Sequence, residues 1–155
     1  MIYALLKTLH VLAVMLWVGG MLFAHFMLRP ALTVLEPPQR LALMHAVLGR
    51  FFTAVLWASL LTLVSGFWMI GRMARSAAQT GGQFIWPADW LAMAILGTLM
   101  VAVFGHIRFV LWRRLDRAQR AGEAVAAASA LASIRAWVLA NLVLGLVVVV
   151  LAVLV

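Results

Sequence analysis

Four long apolar segments, separated by short and more polar connections, dominate the sequence. They cover about residues 2–28, 41–70, 90–112 and 136–155. Each reaches the roughly 20 residues that a helix needs to cross a hydrocarbon core of about 30 Å. Because a segment in lipid must satisfy its own backbone groups, and because strand-like alternation is absent, we predict four membrane-spanning helices.

The connections indicate how these helices are joined. Pro37 and Pro38 interrupt the first connection, and Gly81 and Gly82 interrupt the second. Residues 113–135 are rich in Ala and Arg, which favour helices, so the third and fourth helices should extend past the bilayer there. Short connections favour antiparallel neighbours. The predicted fold is an all-α, integral membrane, antiparallel four-helix bundle that forms one domain over residues 1–155.

Composition supports a membrane protein and narrows its chemistry. Hydrophobic residues make up 67% of the chain and the mean hydropathy is +1.13, well above a soluble domain. The lipid bilayer is therefore one partner. The absence of cysteine excludes disulfides, thiolate ligands and iron–sulfur clusters. No nucleophile–base set or phosphate-binding glycine loop is present, so hydrolase and kinase activities have no support.

The net charge of +8 predicts an orientation in the membrane and not a nucleic-acid partner, since the basic residues flank apolar segments. Seven arginines lie in or beside the first and third connections, against Lys7, Arg72 and Arg75 on the other side. The seven are Arg29, Arg40, Arg113, Arg114, Arg117, Arg120 and Arg135. This bias predicts that these two connections are cytoplasmic and that both termini lie outside.

A short pattern recurs at the predicted cytoplasmic ends of the first and third helices. It reads Phe-Ala-His25 and Phe-Gly-His106, with Arg29 and Arg108 shortly after. An imidazole inside a membrane segment is costly and points to a function. Because both helices run in the same direction, the two histidines are expected at the same depth. His45, near the start of the second helix, joins them at that level.

Two histidines at one depth on diagonal helices predict the axial ligation of a haem b, and a small residue before each leaves room for the flat ring. His45 is then an alternative ligand or a proton-handling group, and nearby arginines would pair with the haem propionates. The cofactor-binding candidates are His25, His106, His45, Arg29, Arg50 and Arg108.

The same histidines also suit a metal ion. Three imidazoles with an open position are typical of copper or zinc sites. His10 lies about 22 Å from His25 along the first helix. The metal-ligand candidates are His25, His106, His45 and His10. A structural role, in which each imidazole hydrogen-bonds a neighbouring helix, is the remaining alternative.

The fourth helix offers little chemistry. Its strongly polar side chain before the C-terminus is that of Asn141. We interpret this helix as completing the bundle or facing lipid, without chemistry of its own.

Several stretches resemble the CopD-type family of membrane proteins. They are Lys7-Thr-Leu-His10, Trp17-Val-Gly-Gly20 and Arg29 in the first helix, Arg50-Phe51 and Thr62-Leu-Val-Ser-Gly66 in the second, and Gly97, Met100 and Phe104-Gly-His106 in the third. The resemblance implies a four-helix protein associated with copper uptake or resistance across the bacterial inner membrane. The Leu-His and Trp-x-Gly pattern is also similar to HemJ-type protoporphyrinogen oxidases, which are associated with haem b. Where that group typically carries a lysine in the third helix, this chain has Met93 and Ile95 nearby, which argues against that oxidase activity.

Three functional hypotheses follow. The first is a small b-type haem protein for electron transfer or redox sensing, which could include haem-dependent membrane oxidoreductase activity. Its partner would be a membrane redox protein or a second copy of the chain. The second is a copper transport or resistance protein in which His and Met form a relay from His10 through Met15, Met21 and Met27 to the cytoplasmic histidines. The third is a cofactor-free assembly subunit of a membrane complex.

Overall fold

The computed structural model describes residues 1–83 and 85–154, and four long helices account for most of them. They are α1 (Ile2–Val34), α2 (Pro37–Gln79), α3 (Ala88–Arg120) and α4 (Ala124–Leu154). Each is long and apolar enough to cross a membrane. No strand occurs among these residues, and the predicted all-α membrane bundle is confirmed.

Every helix extends beyond the apolar segment from which it was predicted. α2 ends at Gln79 and not near residue 70, and α4 begins at Ala124 and not near residue 136. The added turns are rich in Ala, Arg and Ser, and the first two of these favour a helix in water as well as in lipid. Hydropathy therefore marks the part of each helix that suits lipid, while the helix itself continues to the next breaking residue.

Two glycines supply those breaks. Gly81 and Gly122 have φ angles of +73° and +71°, a region that glycine enters without steric cost. Beyond Gly122, the Glu123 N–H donates to the Ala118 carbonyl over 2.9 Å, which is the hydrogen bond of a Schellman cap. α4 starts immediately afterwards, so the connection between α3 and α4 is a single tight turn.

The helices form a ring in chain order. α1 packs on α2 and α3 packs on α4, while contacts of α1 with α4 and of α2 with α3 close the ring. α1 and α3 are diagonal, and Trp17 of α1 meets Phe104 of α3 across the centre with ring centroids 5.9 Å apart. The α1–α2 and α3–α4 connections lie at one end of the bundle, which we call the arginine-rich end. The termini lie at the opposite end.

Aromatic rings continue from that central contact toward the arginine-rich end. Phe52 of α2 lies 6.1 Å from Phe104 and 5.7 Å from Trp112 of α3, measured between ring centroids. Large apolar side chains also lie on the outside of the bundle; Trp57, for example, is 69% exposed. Apolar groups line both the interior and the outer surface, as expected where lipid replaces water around the protein.

Asn141 of α4 lies in this interior. Its side chain is 0% exposed, and Leu142 beside it is 1% exposed. Asn141 is therefore part of the bundle centre, and this face of α4 completes the bundle.

Candidate functional site

A partly open cavity of about 660 Å³ lies at the arginine-rich end, where all four helices contribute to its wall. Its interior is apolar, with Leu32, Leu41, Leu48 and Val138 among the lining residues. Its polar lining residues are His25, Arg29, Thr33, Arg40, Gln119, Glu123 and Arg135. Three arginines and one glutamate give the cavity an excess of positive charge.

His25 borders this cavity from a distorted turn of α1. Residues Ala24–Leu28 form a π-helical turn, in which one extra residue is accommodated and the side chains are re-aimed. The His25 ring is half-buried and lies edge-on to Phe26, with centroids 4.8 Å apart. Across the described part of the chain, no residue hydrogen-bonds the His25 imidazole. A nitrogen lone pair of this ring is thus available to a ligand in the cavity.

Met44 of α2 lines the same cavity and is 9% exposed. Its thioether is a soft donor that suits Cu(I). The cavity therefore combines one imidazole and one thioether, contributed by neighbouring antiparallel helices. Sequence reasoning did not select Met44, because a single methionine in an apolar helix carries no pattern of its own.

His106 lies beside a similar turn in α3 but has different surroundings. It directly precedes the π-helical turn Ile107–Leu111, and its ring lies 5.0 Å from the ring of Trp137 on α4. It is not among the residues that line the cavity. The sequence repeat thus corresponds to a repeated backbone distortion, while only the first copy faces the cavity.

His45 is held by an acidic residue on the neighbouring helix. Its Nε2 lies 3.1 Å from Oδ1 of Asp116 on α3, and its ring stacks on Trp112 with centroids 4.7 Å apart. Asp116 also forms an ion pair with Arg120, whose guanidinium nitrogen lies 3.0 Å from its Oδ2. A methyl group at Gly49, one turn beyond His45, would come within 3.2 Å of Trp112, so the missing side chain makes room for the indole. These contacts of His45 with Asp116 and Trp112 join α2 to α3.

Within residues 1–83 and 85–154, no group of three or more His, Asp or Glu side chains could hold a metal ion. The structure therefore does not gather His25, His45 and His106 into one cluster: the first faces the cavity, the second Asp116 and the third Trp137. Their roles as ligands stay predictions.

The arginines predicted to accompany a cofactor are also divided. Arg29 lines the cavity, whereas Arg50 is exposed on α2 and Arg108 is half-buried beside Phe109. Neither of the latter two borders the cavity. Arg40 does, and its guanidinium also donates to the Thr33 and Leu35 carbonyls over 3.3 and 3.0 Å. Arg40 thereby ties the end of α1 to the start of α2.

His10 lies at the opposite end in a hydrogen-bonded setting. Its Nδ1 is 3.0 Å from the Ser65 hydroxyl oxygen, and that hydroxyl donates to the Leu61 carbonyl. Because the hydroxyl has one proton, this network assigns the Nδ1–H tautomer to His10 and leaves Nε2 with a free lone pair. Gly66 leaves room for the ring, since a methyl group there would lie 3.3 Å from His10 Cε1.

The methionines do not follow the relay drawn from the sequence. Met15 and Met27 are 63% and 64% exposed on the outside of the bundle. Met21, Met44 and Met100 are instead buried, and they come from three different helices. Interior sulfur exists, but it is distributed across the bundle and not along α1.

Comparison with known proteins links this architecture to copper. The family model described as copper resistance protein D matches residues 45–155, which begin at His45 and include α3 and α4. The α1 stretches that resemble this family lie before the matched region. No curated protein and no solved structure matches the chain. Because the family model covers well over half of the sequence, this four-helix membrane protein belongs to the copper resistance protein D family.

Proposed function

We propose that this protein handles copper in a bacterial inner membrane, with copper as its cargo. The observation that carries the proposal is that His25 and Met44 line the same cavity. Imidazole and thioether are donors that suit copper, and membership of a copper resistance family makes copper the expected metal. Two protein donors leave further coordination positions open for a second carrier or for water.

The charge of the cavity indicates the form in which copper arrives. Arg29, Arg40 and Arg135 outweigh Glu123 and would repel a bare copper cation. Copper held by anionic ligands, such as thiolates or carboxylates, reverses that sign and is attracted instead. We therefore propose that the cavity receives copper from an anionic complex, whose ligands pair with the arginines while the metal passes to His25 and Met44.

The proposed orientation places this cavity on the cytoplasmic side. The seven arginines of the arginine-rich end support it by the positive-inside rule. The chain has no cysteine, so single cysteines report topology cleanly. We expect Arg120→Cys, at an exposed position of the arginine-rich end, to be protected from an impermeant maleimide in intact spheroplasts and Ser76→Cys to be labelled. The reverse pattern would invert the orientation.

Copper titration of the detergent-purified protein tests the function. Cu(I) is supplied from a chromogenic chelator, and its transfer to the protein is read as loss of the coloured complex. We expect stoichiometric binding that is weakened by His25→Ala and by Met44→Leu, which keeps the length of the side chain but removes its sulfur. Met27→Leu, on the outside of the bundle, is the matched control. A wild-type protein that removes no copper from a weak chelator contradicts the proposal.

Haem is the second candidate, and the cavity supports it in part. His25 and Arg29 border one space, as the haem hypothesis requires, but His106 does not border it. The residues at this cavity therefore do not fit a haem held between those two histidines. An absorption spectrum before and after dithionite distinguishes the two candidates. A Soret band with split visible bands on reduction favours haem. A colourless protein that cannot be reconstituted with haem excludes the haem candidate.

A further inference from the structure

The side chain of Asn141 is the most unusual polar group in the bundle interior. It is 0% exposed, and neither its Nδ2 nor its Oδ1 has a hydrogen-bond partner among the described residues. Ser59 and Ser65 are equally buried, but their hydroxyl groups donate to backbone carbonyls of their own helix. An amide without partners is costly in a protein core, and more so in a bilayer where water is scarce. Such a group calls for a ligand that completes it.

Helix register identifies the neighbours of Asn141. Gly145, one turn further along α4, faces Met100 of α3 and Val18 of α1, since a methyl group there would lie 3.0 Å from Met100 Cε and from Val18 Cγ2. α4 runs antiparallel to α1 and α3. One turn from this layer toward the arginine-rich end therefore leads to Asn141 on α4 and to Met21 on α1.

Both methionines belong to the same core as Asn141. Met21 is 2% exposed and Met100 is 4% exposed. By this register Met21 lies level with Asn141, and Met100 lies one turn further from the arginine-rich end. Two successive layers thus contain two thioethers and one amide, all neutral. Hard divalent cations prefer carboxylate oxygens, whereas thioethers select soft ions and Cu(I) in particular. A neutral donor set also suits a monovalent ion, because no buried carboxylate has to be neutralised.

The position of this layer adds to the argument. Along α1, Met21 lies about 16 Å from His10 and about 6 Å from His25. His10 at the opposite end has a free Nε2 lone pair, and His25 borders the cavity. The Asn141 layer is therefore an intermediate point between the two ends of the bundle, at a depth where the surrounding side chains are apolar.

We propose that Asn141, Met21 and Met100, in two successive layers of the bundle interior, form a relay site for Cu(I). The inference rests on the proposed copper function and adds a route: copper is exchanged between the His10 end and the cavity through neutral, soft donors. A Cu(I) ion bound here would be coordinated by the Asn141 carbonyl oxygen, and would thus be the partner that this oxygen lacks.

Copper flux in proteoliposomes tests the site separately from copper binding at the cavity. Vesicles contain an entrapped chromogenic Cu(I) chelator, and Cu(I) is added outside. Asn141→Leu keeps the branching of the side chain and removes its polar atoms, and Met21→Leu and Met100→Leu remove the sulfurs. We expect each to lower flux about tenfold or more, as for the loss of an important metal contact. Met15→Leu and Met27→Leu, which face outward, are the matched controls and should transport like wild type.

Two further measurements distinguish the outcomes. Cu(I) titration should remain normal for Asn141→Leu, because the His25 and Met44 cavity is intact, and its melting temperature should be equal or higher, because an unpartnered amide has been removed. Wild-type flux in Asn141→Leu and in both buried methionine variants overturns the relay site while leaving the copper function in place. A wild type that neither binds nor transports copper overturns the function and the relay site together. A lowered melting temperature with unchanged flux would identify Asn141 as structural and overturn the proposal.

Discussion

The two π-helical turns, Ala24–Leu28 in α1 and Ile107–Leu111 in α3, make an instructive pair. Both adjoin a Phe-small-His sequence, and both insert an extra residue at the same end of the bundle. Yet His25 faces a cavity of about 660 Å³, while His106 lies against Trp137. Local sequence repeats the backbone distortion, whereas the neighbouring helix decides what each imidazole meets. A repeated sequence motif therefore indicates a similar local backbone, and a shared ligand needs separate evidence.

Replacing the two histidines separately is the strongest way to sharpen this comparison. We expect His25→Ala to weaken Cu(I) binding by about 100-fold, because a principal nitrogen donor is lost, which corresponds to about 2.8 kcal/mol. His106→Ala should leave the affinity unchanged. Titration against a chromogenic chelator measures both, and equal losses would mean that the two histidines share one ligand after all.

Met44→Leu tests whether the thioether of Met44 is the second copper donor in the cavity that His25 borders. The expected loss of Cu(I) affinity is about tenfold, or about 1.4 kcal/mol, because one thioether is removed from an otherwise intact cavity. Ag(I), a soft ion of the same charge, should follow the same order in isothermal titration. An unchanged affinity for both ions would leave His25 as a donor without sulfur.

Trp137→Ala tests whether the contact between His106 and Trp137 contributes to packing and not to copper binding. Its indole is 42% exposed, so we expect a stability loss of about 1 kcal/mol, well below that of a fully buried tryptophan. Copper affinity should not change. Denaturation in increasing SDS measures stability, with Phe26→Ala, the ring partner of His25, as the control that should affect copper more than folding. A copper defect in Trp137→Ala would contradict the assignment of His106 to packing.

Asp116→Asn should give the smallest effect. It weakens the pairing with His45 and Arg120, but this carboxylate is 27% exposed, so solvent screens the interaction and the expected cost is about 0.5 kcal/mol. Copper binding should be normal. SDS titration measures the first expectation and chelator competition the second, and a large loss of affinity would bring His45 into the copper site.

The fold follows closely from the sequence, because apolar length determines whether a helix can span a bilayer and Gly81 and Gly122 mark where helices end. The site follows only in part. His25 was selected because a histidine in lipid needs a reason; it borders the cavity, and its role as a ligand stays a prediction. Met44 and the His45–Asp116 pair depend on which face of α2 meets which neighbour, and helix periodicity does not contain that information. Asp116 could have been noticed in the sequence, because an acidic residue is rare within this arginine-rich stretch.

The early start of α4 has a consequence for access to the cavity. From Ala124 to the apolar part that begins near residue 136, the helix rises by about 18 Å, and the last turns of α3 accompany it. By its hydropathy, this part of the bundle is expected to lie outside the hydrocarbon layer. It borders the cavity. Under the proposed copper function, a soluble copper carrier would therefore reach the cavity from the side, at the level of the lipid headgroups, and the protein would serve as a docking surface as well as a route for copper.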